Sequence, residues 1–380
     1  MHCLILGARS PVALEWCRIL KSMDCTITVA DSVRWPISRW TQFKDHYLSL
    51  PSPRFAFAEW RLQLLEYVRT HCVDWLMPNA EEAFYVSFIK EELSRYCKVW
   101  TADFSLMRSL HHKYDFTEMV QQLSITAPQT WLFDKDCRVL PLSSSELVFK
   151  PVFSRFANAT IIAPNEVQRS SMDATVKWVM QTYVKGTEYC SYSIFDEGRL
   201  IAHTAYQPTY RAGKGAGYYC IPFQNEAIER FVREFGEKYC YTGQVGFDFI
   251  QDECGKFWVL ECNPRGTSGL HLFAYLRSDL LNCMKQLDHS VLVASPDKAL
   301  AFKFALCAMG LPKQLGQLEL GKWWQDYRHS DDIVYHDQDL KPALLQSLPT
   351  LEMLYIAVKH RLSIWSATTH DIEWNGETIK

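Results

Sequence analysis

The sequence predicts an α/β unit followed by a larger α+β region, and three observations point there. A strand, a glycine turn, a helix and a second strand open the chain. Short apolar strands in the middle end on single lysines. Two strongly apolar strands near residue 255 carry Asp248, Glu261, Asn263 and Arg265 on either side of a polar turn. At 380 residues the chain exceeds one average domain, so two or three are expected.

The first element is the buried strand Leu4-Ile5-Leu6, followed by Gly7-Ala8 and a helical pattern from Val12 to Lys21. Thr26 to Asp31 reads as a second strand with an acid at its end, which completes a βαβ unit. A dinucleotide-binding fold opens in the same way. However, Gly7-Ala8-Arg9-Ser10-Pro11-Val12 lacks the second and third glycines of G-x-G-x-x-G, so nicotinamide binding is a weak alternative. Trp75-Leu76-Met77-Pro78 is strand-like and precedes Asn79-Ala80-Glu81-Glu82, acids placed to cap the next helix. Val99-Trp100 reads as the last strand of the unit.

Composition narrows the function classes. The chain is 48% hydrophobic and 14% aromatic, ample for a core. A net charge of −3 without a long run of one sign argues against a nucleic-acid or membrane-surface protein. No apolar stretch is long enough to span a bilayer. Met1-His2-Cys3-Leu4 lacks the pattern of a signal peptide. Thirteen cysteines without a C-x-x-C pair fit reduced thiols, and the expected location is cytoplasmic.

In the middle region Lys113 precedes a helix from about Tyr114 to Leu123, and Thr130-Trp131 begins an extended segment. Leu147 to Pro151 is an apolar strand with Lys150 near its end. Such an ammonium is placed either at the surface or to reach phosphates as a point charge. Trp178 to Val184 is a further strand, and Lys185-Gly186-Thr187-Glu188 reads as a turn that brings Glu188 just past it.

The segment Gln251 to Lys256 reads as a turn. A hairpin symmetric about Cys254-Gly255 sets Asp248 opposite Glu261. Alternation puts Glu261 and Asn263 on one face, with cross-strand neighbours roughly 5 Å apart. The three oxygen-bearing side chains then converge. The arrangement is either a solvated hairpin face or a site for a hard cation such as Mg²⁺. Cys262 faces the opposite, apolar side and is expected to serve packing.

Taken in order, a lysine before a helix, Lys150-Pro151, strand-Gly-x-Glu, Asp248-Phe249 and Glu261-x-Asn263-Pro264-Arg265 resemble the ATP-grasp superfamily. The carboxylate–amine ligases and carbamoyl phosphate synthetase-like members are the nearest kin. The resemblance covers about residues 105–275. It implies an N-terminal Rossmann-like pre-ATP-grasp domain over 1–104 and a two-lobed ATP-grasp domain over 105–185 and 186–290. Residues 291–380 form a C-terminal extension without an assigned role. It further implies ATP and Mg²⁺ (or Mn²⁺) as cofactors. Lys113 and Lys150 would contact phosphates. Gln181, Tyr183 and Val184 would hold adenine, with the Gln181 carbonyl oxygen accepting from the exocyclic amine. Glu188 would bind ribose, and Asp248, Glu261 and Asn263 would bind metal. Arg265 would face the transferred phosphoryl group. The implied reaction activates a carboxylate as an acyl phosphate and passes the acyl group to an amine. Partners would be small-molecule acids and amines, and related ligases often form homodimers.

One departure matters. The family usually follows Lys-Pro with a glycine-rich loop, whereas Phe153 to Thr160 contains no glycine. Ser154 and Arg155 are the side chains there able to supply hydrogen bonds, and a nucleotide-binding protein with weak or no turnover is the alternative. Arg211 to Gly217 is rich in glycine between two expected strands. There Arg211 would hold a substrate carboxylate by a bidentate contact, unless the segment is only a surface loop with incidental cations. Lys303 to Met309 reads as a core strand or helix and Leu351 to Ile364 as a helix. His271 and His289 receive no role.

Overall fold

The computed structural model describes residues 1–134, 140–155, 159–173, 175–211, 217–285, 290–312 and 320–380. Its first sheet is wholly parallel, with strands β1 (His2–Leu6), β2 (Thr26–Asp31), β3 (His46–Ser49), β4 (Trp75–Met77) and β5 (Lys98–Val99) in the order β3-β2-β1-β4-β5. The central strand β1 buries Cys3, Leu4, Ile5 and Leu6 on both of its faces, whereas the edge strands β3 and β5 keep exposed polar residues such as His46 and Lys98. The helix Pro11–Lys21 starts where Ser10 accepts from Val12 N–H and Pro11 supplies a ready-made first turn. The strand order reverses between β1 and β4, so Gly7 and the segment Asn79–Glu82 meet at the topological switch point.

The dinucleotide alternative meets an occupied crevice there. Arg9 donates to Asp31, at the end of β2, and to Asp371 from the far end of the chain. Glu82 lies so close to Gly7 that a Cβ on this glycine would sit 2.7 Å from its Oε1. What remains is a cavity of about 20 Å³, room for roughly one water.

A four-stranded antiparallel sheet follows, ordered β6 (Thr130–Phe133), β9 (Trp178–Thr182), β7 (Leu147–Pro151) and β8 (Ile161–Ile162). The third sheet is the largest. Its order is β14 (Phe257–Asn263), β13 (Gly243–Asp252), β10 (Gly186–Asp196), β11 (Arg199–Arg211), β12 (Gly217–Phe223), β16 (Ala299–Ala301) and β17 (Ser330–Asp332), with β15 (Leu292–Val293) beside β11. Tyr183, Val184 and Lys185 are all that separates the second sheet from the third.

One face of the large sheet is covered by the helix Glu226–Tyr239. Its Ile228, Phe231, Val232 and Phe235 pack on Phe247, Phe249, Val259 and Cys262. Every second residue of β13 and β14 is therefore buried behind the sheet, and Cys262 serves packing. Asp248, Glu261 and Asn263 stand on the other face, half-buried.

In the C-terminal region Lys303 to Gly310 takes the helical form of the two expected, and the predicted helix over 351–364 starts earlier, at Ser347, and ends at His360. Beyond it the chain returns to the first sheet. Trp374 is buried among Phe84, Phe104 and Phe153, and Arg54 pairs with Glu373. Among the described residues no helix is long and apolar enough to cross a membrane.

Candidate active site

The hairpin reaches the expected pairing by an unexpected route. Near the turn Gln251 pairs with Phe257 and Ile250 with Trp258, centring the turn on Cys254 rather than on Cys254-Gly255. Continued unchanged, that register would set Asp248 opposite Leu260. Instead a bulge between Phe249 and Asp248 leaves Leu260 as the additional residue, and Asp248 pairs with Glu261 and Gly246 with Asn263. The inserted residue re-aims Glu261 and Asn263 onto the open face. Asn263 Nδ2 donates to Asp248 Oδ2 at 3.2 Å, and Cys190 Sγ on β10 donates to Asp248 Oδ1 at 3.0 Å.

Two carboxylates held face to face in a buried setting repel. Burial first, and Glu261 second, push the Asp248 carboxyl up to about 7. Burial works against the Glu261 charge too, but Lys113 and Lys150 outweigh it and hold that carboxyl below its usual range. Lys113 Nζ lies 3.5 Å from Glu261 Oε2 and donates to Ser154 O at 3.1 Å. Lys150 donates to Gln181 Oε1 at 2.9 Å. Burial draws the Lys150 ammonium down to about 8, opposed by the charges of Glu261, Asp248 and Glu188. Lys113, Lys150, Glu188, Asp248 and Glu261 thus share one electrostatic neighbourhood between the second and third sheets.

Several expected contacts differ. Gln181 is buried inside β9, its Oε1 taken by Lys150 and its Nε2 by Thr130. The carbonyl oxygen expected to accept from adenine is therefore engaged with the lysine. Tyr183 and Val184 lie in the connector after β9, and the Tyr183 backbone N–H donates to Glu146 O at 2.7 Å. Glu188 lies within β10 rather than past a turn, because Gly186 already pairs with Asp252. Glu188 forms an ion pair with Arg211, the last residue of β11, so the arginine expected to meet a substrate carboxylate already holds one. Residues 212–216 of the glycine-rich segment, 156–158 of the glycine-free one, and His289 lie outside the described residues. His271 is buried, 4.0 Å from Glu15.

Sequence reasoning gave Glu81 only a capping role and missed its pairing with arginines. Neither acid of Glu81-Glu82 caps the helix Ala83–Phe88. Glu82 accepts from the Asn79 and Ala80 N–H groups of its own turn. Glu81 joins two arginines: Arg265 Nε donates to its Oε1 at 2.8 Å, and Arg155 Nε pairs with its Oε2 at 2.6 Å. Burial disfavours the Glu81 charge, yet the two guanidinium groups win and hold the carboxyl at about 2. Arg265 also donates to Gly266 O, and its remaining edge approaches Asn263 Oδ1 at 3.5 Å. Cys190 was missed as well, because its partner becomes visible only once β10 is known to pair with β13.

The donor set on β13 and β14 consists of hard oxygens. Two carboxylates at uncomfortably close quarters and one amide suit a small divalent cation better than a soft metal. Among the described residues no group of three His, Cys, Asp or Glu side chains is assembled to hold a metal.

No family model matches the chain, and no curated protein matches it. Solved structures do. N5-carboxyaminoimidazole synthetase from Staphylococcus aureus superimposes with a TM-score of 0.60 at 11% identity, covering 79% of each chain. L-amino acid ligase from Bacillus licheniformis gives 0.54 at 15% identity, covering 73% of this chain and 70% of its own. A biotin carboxylase–ATP complex from Campylobacter jejuni gives 0.55 at 11% identity, covering 74% and 70%. These neighbours are ATP-grasp enzymes, and this chain has the ATP-grasp fold.

Proposed function

We propose that the protein is an ATP-dependent ligase that activates a carboxylate as an acyl phosphate and transfers the acyl group to an amine, releasing ADP and phosphate. The observation that carries this reading is the patch Asp248, Glu261 and Asn263, faced by Lys113 and Lys150 and flanked by Arg265, in a chain with this fold. Solved neighbours bearing the names of an amino acid ligase and of a carboxylase bound to ATP support it.

A carboxylate is a poor electrophile because its oxygen leaves badly. Attack of a carboxylate oxygen on the γ-phosphorus expels ADP. Attack of an amine on the acyl carbon then expels phosphate. Both steps spread negative charge over phosphoryl oxygens, so catalysis is mostly positioning and fixed charge. Lys113 and Lys150 would hold phosphate oxygens, and Arg265 would face the transferred group. Val184 and Tyr183 would border adenine, and Glu188 would take the ribose hydroxyls while staying against Arg211. Asp248, Glu261 and Asn263 would hold Mg²⁺ (or Mn²⁺), which when bound supplies positive charge against the phosphates. A homodimer, with small-molecule acid and amine as the other partners, completes the proposal.

The test is ADP release with Mg-ATP and pools of amino acids and small carboxylates. At least one pool is expected to raise release well above the rate with water alone. Tight Mg-ATP binding with no stimulation by any pool would mark a nucleotide-binding protein without turnover.

A further inference from the structure

Four segments distant in sequence meet at one carboxylate. Glu81 follows β4 at the switch point of the first sheet. Arg155 belongs to the glycine-free segment after β7. Arg265 follows β14. The fourth segment is the C-terminal tail, whose Trp374 carbonyl and Asn375 side chain each accept from Arg155 at 2.7 Å. Side chains of Glu81 and Arg155 are only 3% and 6% exposed, whereas Arg265 keeps 20%. The carboxylate therefore has a buried partner and a half-open one.

The geometry points to Glu81 as a positioning residue for Arg265, itself held in place by Arg155 and the C-terminal tail. A guanidinium is a planar fork with donors on three edges. Glu81 fixes the Nε edge and Gly266 O takes Nη1, which turns the Nη2 edge toward Asn263. Without Glu81 the arginine would keep its charge and lose its direction. Arg155 cannot release Glu81 freely, because its own Nη1 and Nη2 are engaged by the tail.

This inference rests on the proposed role of Arg265 opposite a terminal phosphoryl group. It predicts a specific loss of contact with that group and none with the rest of the nucleotide. Affinities for Mg-ATPγS and Mg-ADP are to be measured by calorimetry on the full chain and on Arg265→Ala, Glu81→Gln and Glu81→Gln/Arg155→Met. The double substitution guards against misfolding, since it leaves no uncompensated buried arginine. Each variant is expected to lower the ATPγS-to-ADP affinity ratio about tenfold, as loss of one charge-assisted hydrogen bond would. ADP affinity should stay within about twofold. Adding Arg265→Ala to the double variant should lower the ratio no further, because the two act as one unit. An unchanged ratio in both Glu81 variants, with a lowered ratio in Arg265→Ala, would overturn the inference and leave the role of Arg265 standing. An unchanged ratio in Arg265→Ala itself would overturn both.

Discussion

A buried carboxylate next to an arginine behaves unlike one facing another carboxylate, and both kinds occur here. Glu81 is held at about 2 against burial by Arg155 and Arg265. Its folded value lies below its unfolded one, so the stability it contributes is present above about pH 4.5 and is lost as pH falls through about 2. The shift corresponds to on the order of 3 kcal/mol. Urea unfolding at pH 5 and pH 3 should show a steeper loss for the wild type than for Glu81→Gln, whose amide does not titrate. Asp248 has the opposite problem, since burial and Glu261 both disfavour its charge, whereas Lys113 and Lys150 favour the charge of Glu261. Glu261→Gln removes one charge at nearly constant shape. It should leave the protein folded with a slightly lowered thermal unfolding temperature, because Lys113 and Lys150 lose a charged partner, and should cut metal-dependent ADP release on the order of 10² to 10³-fold. Unaltered release would sink the assignment of Glu261.

At the scale of elements, the connector Tyr183–Lys185 and the start of β10 decide how the second sheet meets the third. Gly186 stands so close to β13 that a Cβ there would lie 1.9 Å from the Gln251 carbonyl oxygen. That contact is backbone, and no side chain can swing away to relieve it. Gly186→Ala should therefore part the first rungs between β10 and β13. The expected cost is about 1–3 kcal/mol in urea unfolding, with weaker ATP binding because Val184 and Glu188 flank the displaced residue. Much of this level was legible in the sequence. The period-2 alternation of Phe247-Asp248-Phe249 and Glu261-Cys262-Asn263 sorted core from site, and the first two strands and their helix followed from apolar runs and Gly7. The bulge at Leu260 was not legible. A turn of Gln251 to Lys256 is compatible with two centres one half-residue apart, and only strand pairing chooses.

On the scale of the whole molecule, the last residues of the chain pack against the helices and loops around its first sheet. Trp374 fills the space between Phe84, Phe104 and Phe153, and Asp371 completes the pairing of Arg9 with Asp31. Trp374→Ala should cost about 3–5 kcal/mol, as large-to-small changes do in tight aromatic packing. Circular dichroism with urea would measure it. Loss below about 1 kcal/mol would mean the tail rests on the sheet without supporting it. The same tail holds Arg155, so its removal should also lower the ATPγS-to-ADP affinity ratio.

Local chemistry written in the order of residues was enough to mark the strands that carry the oxygens and to set Glu261 and Asn263 on one face, while the bulge that brings Asp248 to the same face came from strand pairing. Alternation and turn composition act over a few residues, and those features depend on nothing farther away. The tertiary structure alone decided that Glu81 grips Arg265, that Gln181 is taken by Lys150, that Glu188 is held by Arg211, and that Trp374 closes on the first sheet. Each of these joins residues separated by many intervening positions. Charge pairing in a buried setting is chosen by which segments the fold brings within a few ångströms, and no local pattern encodes that.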